Sequence, residues 1–189
     1  MEWNPDGSHL MVCLLLSLCS GLLCSMILKD KLKLDSIPKI PCISVAGTGV
    51  FISVHGFTVV TLMCAVVFQI LLFASVYDIR THTVPDYVHI LILSAGLIHC
   101  QPLPALLGLF LVPLPFFLAA LLKENSIGGG DIKLMTACGF VLGTWPGMAA
   151  LVIGLFIAVL WNAVFNRKKQ PFPLVPYLTI GCFAALLLI

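Results

Sequence analysis

Two of the eight acidic residues in this 189-residue chain stand where an ionisable group is expensive. Asp78 follows the apolar run 57–77, and Asp131 follows Gly128-Gly129-Gly130 and opens another apolar segment. A carboxylate at the edge of a bilayer costs free energy unless it is paired, hydrated or put to use. Two such groups at one depth make an acid/base pair. Close like charges do not both ionise cheaply, so one carboxyl holds a proton while its neighbour takes one from water. The chemistry available to such a pair is hydrolysis by general acid/base catalysis. Helix direction favours Asp131, at a helix N-terminus, as the base and Asp78, at a helix C-terminus, as the acid.

A plainer role for both acids is an interfacial cap, Asp78 beside Arg80 and Asp131 beside Lys133. Residues two apart do not face each other on one helix, which argues against those pairings. The other acids have ordinary explanations. Glu2 and Asp6 lie in the polar N-terminal stretch, Asp30 and Asp35 in a lysine-rich loop, Glu124 in a polar loop, and Asp86 opens a helix after Pro85. The glycine run before Asp131 leaves backbone N–H and C=O groups open to an extended substrate strand, or else serves as a flexible turn. Lys133, two residues on, is placed to orient a substrate, although lysines at helix ends commonly snorkel.

The elements that must position these groups follow from composition. Sixty per cent of the residues are hydrophobic, 10% are charged, and the mean hydropathy is +1.12. Soluble domains carry about 25% charged residues, so a water-soluble core, a disordered chain and a coiled coil are excluded. A net charge of +2 excludes a nucleic-acid-binding surface as well. The expected fold class is an all-α polytopic membrane protein. Its apolar segments are residues 11–28, 40–54, 57–77, 86–100, 105–122, 131–143, 147–165 and 174–189. Punctuation between them includes His55-Gly56, expected turns at Gln101-Pro102-Leu103-Pro104 and Trp145-Pro146-Gly147, and a basic, proline-rich stretch at 166–173.

Whether residues 40–77 cross once or twice is decided by charge, because Lys and Arg collect on the cytoplasmic side. With two crossings all ten Lys and Arg fall on one side; with one, the four lysines between 29 and 39 oppose the other six. About eight spans with both termini outside are therefore expected, and Asp78 and Asp131 then share the cytoplasmic membrane depth. The eight cysteines occur singly, without a C-x-x-C pair, and read as small hydrophobes rather than zinc ligands or disulfides. Residues 1–10 form a polar tail whose Gly-Ser-His string resembles a cloning scar.

At three places the sequence resembles the type IV prepilin peptidases, a family of GxGD intramembrane aspartic peptidases. Gly128-Gly129-Gly130-Asp131-Ile132-Lys133-Leu134 resembles its GGGD-[IV]-K-L motif. In the stretch from Asp78 to Asp86, Val84-Pro85-Asp86 stands six residues after Asp78, as in the family's other aspartate signature. The string Gln170-Pro171-Phe172-Pro173-Leu174-Val175-Pro176-Tyr177-Leu178 resembles the landmark that opens its last span. The resemblance implies an endopeptidase that removes the short, basic leader of prepilins or pseudopilins. Cleavage in the family falls at the cytoplasmic face, after a Gly and before a hydrophobic segment. Asp78 and Asp131 carry over as catalytic, with Gly128, Gly129, Gly130, Lys133 and Pro85 as supporting or substrate-binding residues. No metal or cofactor is implied for this reaction. The partners implied are the prepilin or pseudopilin and the lipid bilayer, in a bacterial or archaeal cytoplasmic membrane.

On this reading residues 11–56 hold the first two spans and 57–189 a six-span peptidase core. Only residues 29–39, without a cysteine, stand where bacterial members often carry a zinc-binding domain. Methyl transfer from S-adenosylmethionine to the new N-terminus is therefore not expected. The presenilin group also has Tyr-Asp and GxGD motifs, but here two spans separate the aspartates and Pro104-Ala105-Leu106 precedes Asp131. From a different class, a small transporter or channel with paired carboxylates would need mid-span acids and an internal repeat, and neither is evident.

Overall fold

The structure, a computed structural model, describes residues 7–33, 39–122, 128–165 and 172–189. They form α1 (Gly7–Leu32), α2 (Ile40–His55), α3 (Val59–Thr81), α4 (Asp86–Gly96) with a 3-10 turn (Leu97–His99), α5 (Pro102–Leu111), α6 (Leu114–Leu122), α7 (Gly129–Leu142), α8 (Thr144–Phe165) and α9 (Val175–Leu186). Among the described residues there is no strand. Four helical stretches, Leu10–Leu32, Val59–Thr81, Pro102–Leu122 and Thr144–Val164, are long and apolar enough to cross a membrane. Ile40–His55, Asp86–His99 and Val175–Leu186 are shorter apolar helices. The chain is a helical, multi-pass membrane protein.

The division of residues 40–77 has a local cause. Helix α2 stops at His55 because Gly56 takes φ 65°, a left-handed angle that suits glycine. Thr58 then caps α3, its hydroxyl accepting the Thr61 N–H at 3.3 Å, while the Thr61 hydroxyl donates to the Gly56 carbonyl at 2.6 Å.

Several expected boundaries need correction. Pro102 and Pro146 lie in the first turns of α5 and α8, where a missing N–H costs nothing, so neither proline stretch is a free-standing turn. The segment 105–122 breaks between Leu111 and Leu114, where Pro113 cannot donate to the helix ladder. Helix α1 begins at Gly7, within the polar tail, and α3 runs four residues past its apolar stretch to Thr81. Residues 1–6, Asp35, Lys123, Glu124 and the basic cluster 167–169 lie outside the described residues.

Helix α3 is the axis of the bundle, packed against α1, α2, α4 and α9. Between apolar helices in lipid, association comes from close packing and interhelical hydrogen bonds. Both are present. A Cβ on Gly181 would run into the Ala150 carbonyl, and one on Gly108 would meet the backbone of Gly139 and Gly143, so α8 with α9 and α5 with α7 approach backbone to backbone. The Ser17 hydroxyl bonds to Ser44 (2.8 Å) and Thr48 (2.9 Å), and Ser44 bonds to Gln69, which links α1, α2 and α3. Ser75 meets Thr179 at 2.7 Å between α3 and α9. Such bonds contribute on the order of 0.6 kcal/mol each.

These contacts fix the direction of each helix. Lys31 sits 5.0 Å over the Tyr87 ring, and Lys133 reaches Asp86. The C-termini of α1 and α3 therefore share one end of the bundle with the N-termini of α2, α4, α7 and α9. Lys29, Lys31, Lys33, Lys39, Arg80 and Lys133 all belong to that end.

Candidate active site

Asp78 and Asp131 lie at this same end. Asp78 occupies the last turn of α3, with 5% of its surface exposed. Its Oδ2 accepts the backbone N–H of Val175 at 3.1 Å, from the first turn of α9. Its carbonyl accepts the His82 N–H at 2.8 Å, and His82 closes α3 in the left-handed conformation (φ 51°, ψ 33°). Asp131 is the third residue of α7 and half-buried. The two carboxyls lie within electrostatic range of one another. Positions 78 and 131 are 53 residues apart in the chain.

The glycine run takes ordinary backbone angles. Gly128 has an ordinary extended backbone (φ −66°, ψ 135°), and Gly129 and Gly130 are helical residues of α7. What matters is the absent side chain. A Cβ on Gly129 would meet nothing within 4 Å, so the space beside Asp131 is open there. A Cβ on Gly128 would stand 3.2 Å from the Asp131 Oδ2, and one on Gly130 would touch the Val84 side chain at 3.4 Å. The 82–85 loop thus lies against the start of α7. Pro85 is the N-cap of α4 and ends that loop, its carbonyl accepting the Val88 N–H at 3.1 Å.

Lys133 is paired with an acid other than Asp131. Its Nζ donates to the Asp86 Oδ1 at 2.8 Å, an ion pair exposed on both sides that links α7 to α4. Asp86 is therefore more than a helix-start residue. Among the described residues no group of three His, Cys, Asp or Glu side chains is placed to hold a metal ion.

The sequence reading missed Val175. Its N–H gives Asp78 a backbone donor from a helix N-terminus. Helix direction alone therefore no longer separates an acid from a base, since each carboxyl now lies at the N-terminal end of a helix. The signal lay in the prolines around position 175. They mark a helix start, where free N–H groups gather, although the sequence does not say which carboxylate they meet.

Two carboxyls at one end of a helical membrane bundle, one of them held by a backbone donor, could supply an acid/base pair for hydrolysis. Residues 65–166, over half of the chain and including both aspartates, match the type IV leader peptidase family, and the chain belongs to that family. It is 34% identical over 137 residues to the prepilin leader peptidase/N-methyltransferase of Bacillus subtilis (strain 168), covering 65% of this chain and 54% of that protein. The chain thus spans about half the length of the curated relative it matches. No solved structure matches it.

Proposed function

We propose that this protein is an aspartic endopeptidase that cuts the leader from type IV prepilins or pseudopilins at the cytoplasmic face of the membrane. The reading is supported by the position of Asp78, in the last turn of α3, and Asp131, in the first turn of α7, at the same lysine-rich end of the bundle. By the bias of Lys and Arg toward the cytoplasm, that end faces inward, the bundle crosses eight times and both termini lie outside. Gly128, Gly129 and Gly130 give an extended substrate strand access to Asp131, while Lys133 and Pro85 support the α4–α7 contact beside it.

A water held between the carboxyls attacks the carbonyl carbon of the scissile bond. The ionised carboxyl takes a proton from the water as the new C–O bond forms, and the protonated one donates to the carbonyl oxygen. The tetrahedral intermediate then collapses. Its C–N bond breaks as the carboxyl that took the water proton passes it to the amine nitrogen. The other carboxylate takes a hydroxyl proton back from the gem-diol as its C=O re-forms, so the pair again holds one proton.

A transporter with buried carboxylates finds less support. Each acid among the described residues, Asp30, Asp78, Asp86 and Asp131, stands within three residues of a helix end. The test is cleavage of a purified prepilin in detergent. The wild type should release the leader, while Asp78→Ala and Asp131→Ala should not; leader release by either variant refutes the proposal. Peptidase activity alone is proposed, and methyl transfer from S-adenosylmethionine to the cut product would contradict that part.

A further inference from the structure

Helices α2 and α9 touch at the end of the bundle far from the aspartates and splay apart toward them. At the closed end the Phe51 and Phe183 rings stand 5.1 Å apart, with Phe68 of α3 4.8 Å from Phe183, and His55 Nε2 lies 2.9 Å from the Leu186 carbonyl oxygen. Toward the other end the helices leave a crevice of about 520 Å³, floored by α3. Its lining runs from Lys39, the N-cap of α2, to Val50 of α2, and on α3 from Ile79 to Phe68, twelve residues or eleven helical steps each. At 1.5 Å per residue that is roughly 16 Å, or three helical turns. Ile43 and Ile180, on opposite walls, are each 49% exposed.

The mouth of the crevice is the informative part. It is lined by Ile79 and Pro176, the residues that follow Asp78 and Val175 in the chain. The crevice thus opens one residue away, on its α3 floor and its α9 wall, from the hydrogen bond that holds Asp78. A helix lying in it would run from mid-bilayer to the rim and end beside the last turn of α3, which carries Asp78.

We infer that this crevice is the docking groove for the apolar segment of the substrate, which enters sideways from the lipid between α2 and α9. The inference rests on the proposed function, because that reaction cuts immediately before an apolar segment. Such a substrate needs an apolar channel that ends at the catalytic pair. An apolar helix fits one face into a three-turn groove by the same packing that joins helices within the bundle. Entry from this side places the bond to be cut above Ile79 and Pro176, with the leader outside the lipid.

Site-specific photo-crosslinking tests this directly. A benzophenone amino acid is placed at Ile43, at Ile180, or at Phe156, which is exposed on α8 away from the crevice. Each probe is carried on the Asp131→Asn background and mixed with a full-length prepilin in lipid nanodiscs. Adducts with the prepilin's apolar segment at Ile43 and Ile180, and none at Phe156, are expected. Equal labelling at Phe156, or groove adducts formed only with lipid or with a second copy of the protein, would overturn the inference.

Ala46→Phe, which fills the groove from the α2 wall, supplies a kinetic readout. It should raise KM for the prepilin about tenfold while kcat stays within about twofold, since the lost interaction is uniform binding. An unchanged KM in a variant of wild-type melting temperature would also overturn the inference. Wild-type cleavage in the same assay reads the peptidase proposal separately: cleavage without groove adducts sinks the groove alone.

Discussion

The Oδ2 of Asp78 and the backbone N–H of Val175, 97 positions apart in the chain, stand 3.1 Å apart and tie the last turn of α3 to the first turn of α9. One carboxyl of the pair is thereby fixed to the scaffold, while Asp131 stands at the open start of α7. General acid/base catalysis depends on heavy-atom positions to within a few tenths of an ångström. A backbone donor sets such a position more firmly than a side chain with its own rotamers.

Removing that donor should therefore slow the chemistry more than it weakens binding. Val175→Pro deletes the N–H at a first-turn position that accepts proline, although the helical Leu174 before it (φ −91°, ψ −32°) will adjust. Val175→Ala keeps the N–H and loses only packing. Steady-state kinetics should show kcat at least about tenfold lower for Val175→Pro than for Val175→Ala, the scale of a hydrogen bond to a charged group. Equal kcat values would mean that the contact does not matter to catalysis.

The cap of α3 carries strain that stability measurements can read. His82 holds a left-handed backbone (φ 51°, ψ 33°), which costs a residue with a Cβ about 1 kcal/mol. His82→Gly should raise the melting temperature in detergent, partly offset by the greater freedom of glycine in the unfolded chain. His82→Val, β-branched at the same angles, should lower it. The opposite order would contradict the cap assignment.

The glycines before Asp131 should separate by their surroundings. Gly129→Ala meets no neighbour and adds helix propensity, so the melting temperature should hold or rise. If a substrate strand uses that space, KM for the prepilin rises several-fold in the same variant. Gly128→Ala puts a methyl 3.2 Å from the Asp131 Oδ2 and should instead lower kcat. Matching kinetic effects at both positions would argue that the run is only a flexible turn.

Much of this arrangement can be read from the sequence, for identifiable reasons. The pair of helices within residues 40–77 was legible because both the lysine distribution and His55-Gly56 demand a break there, and Gly56 makes it. Asp78 and Asp131 stand out because acids are costly beside long apolar runs. Two features were not legible. The Val175 donor and the Lys133–Asp86 ion pair both depend on how helices lie side by side, which a hydrophobic pattern does not encode. Proline was misread as a break at Pro102 and Pro146 because first-turn and turn positions share its fixed φ. The crevice between α2 and α9 arises from a difference in packing along two predominantly apolar helices, which a hydrophobic pattern does not reveal.

A double-mutant cycle on purified enzyme and prepilin tests the central claim most directly. If Asp78 and Asp131 work as one acid/base unit, Asp78→Asn, Asp131→Asn and the double variant should each lose kcat by the same factor, about a thousandfold or more. A double variant that loses the product of the two single effects would contradict the account, as would either single variant that keeps kcat within about twofold of wild type.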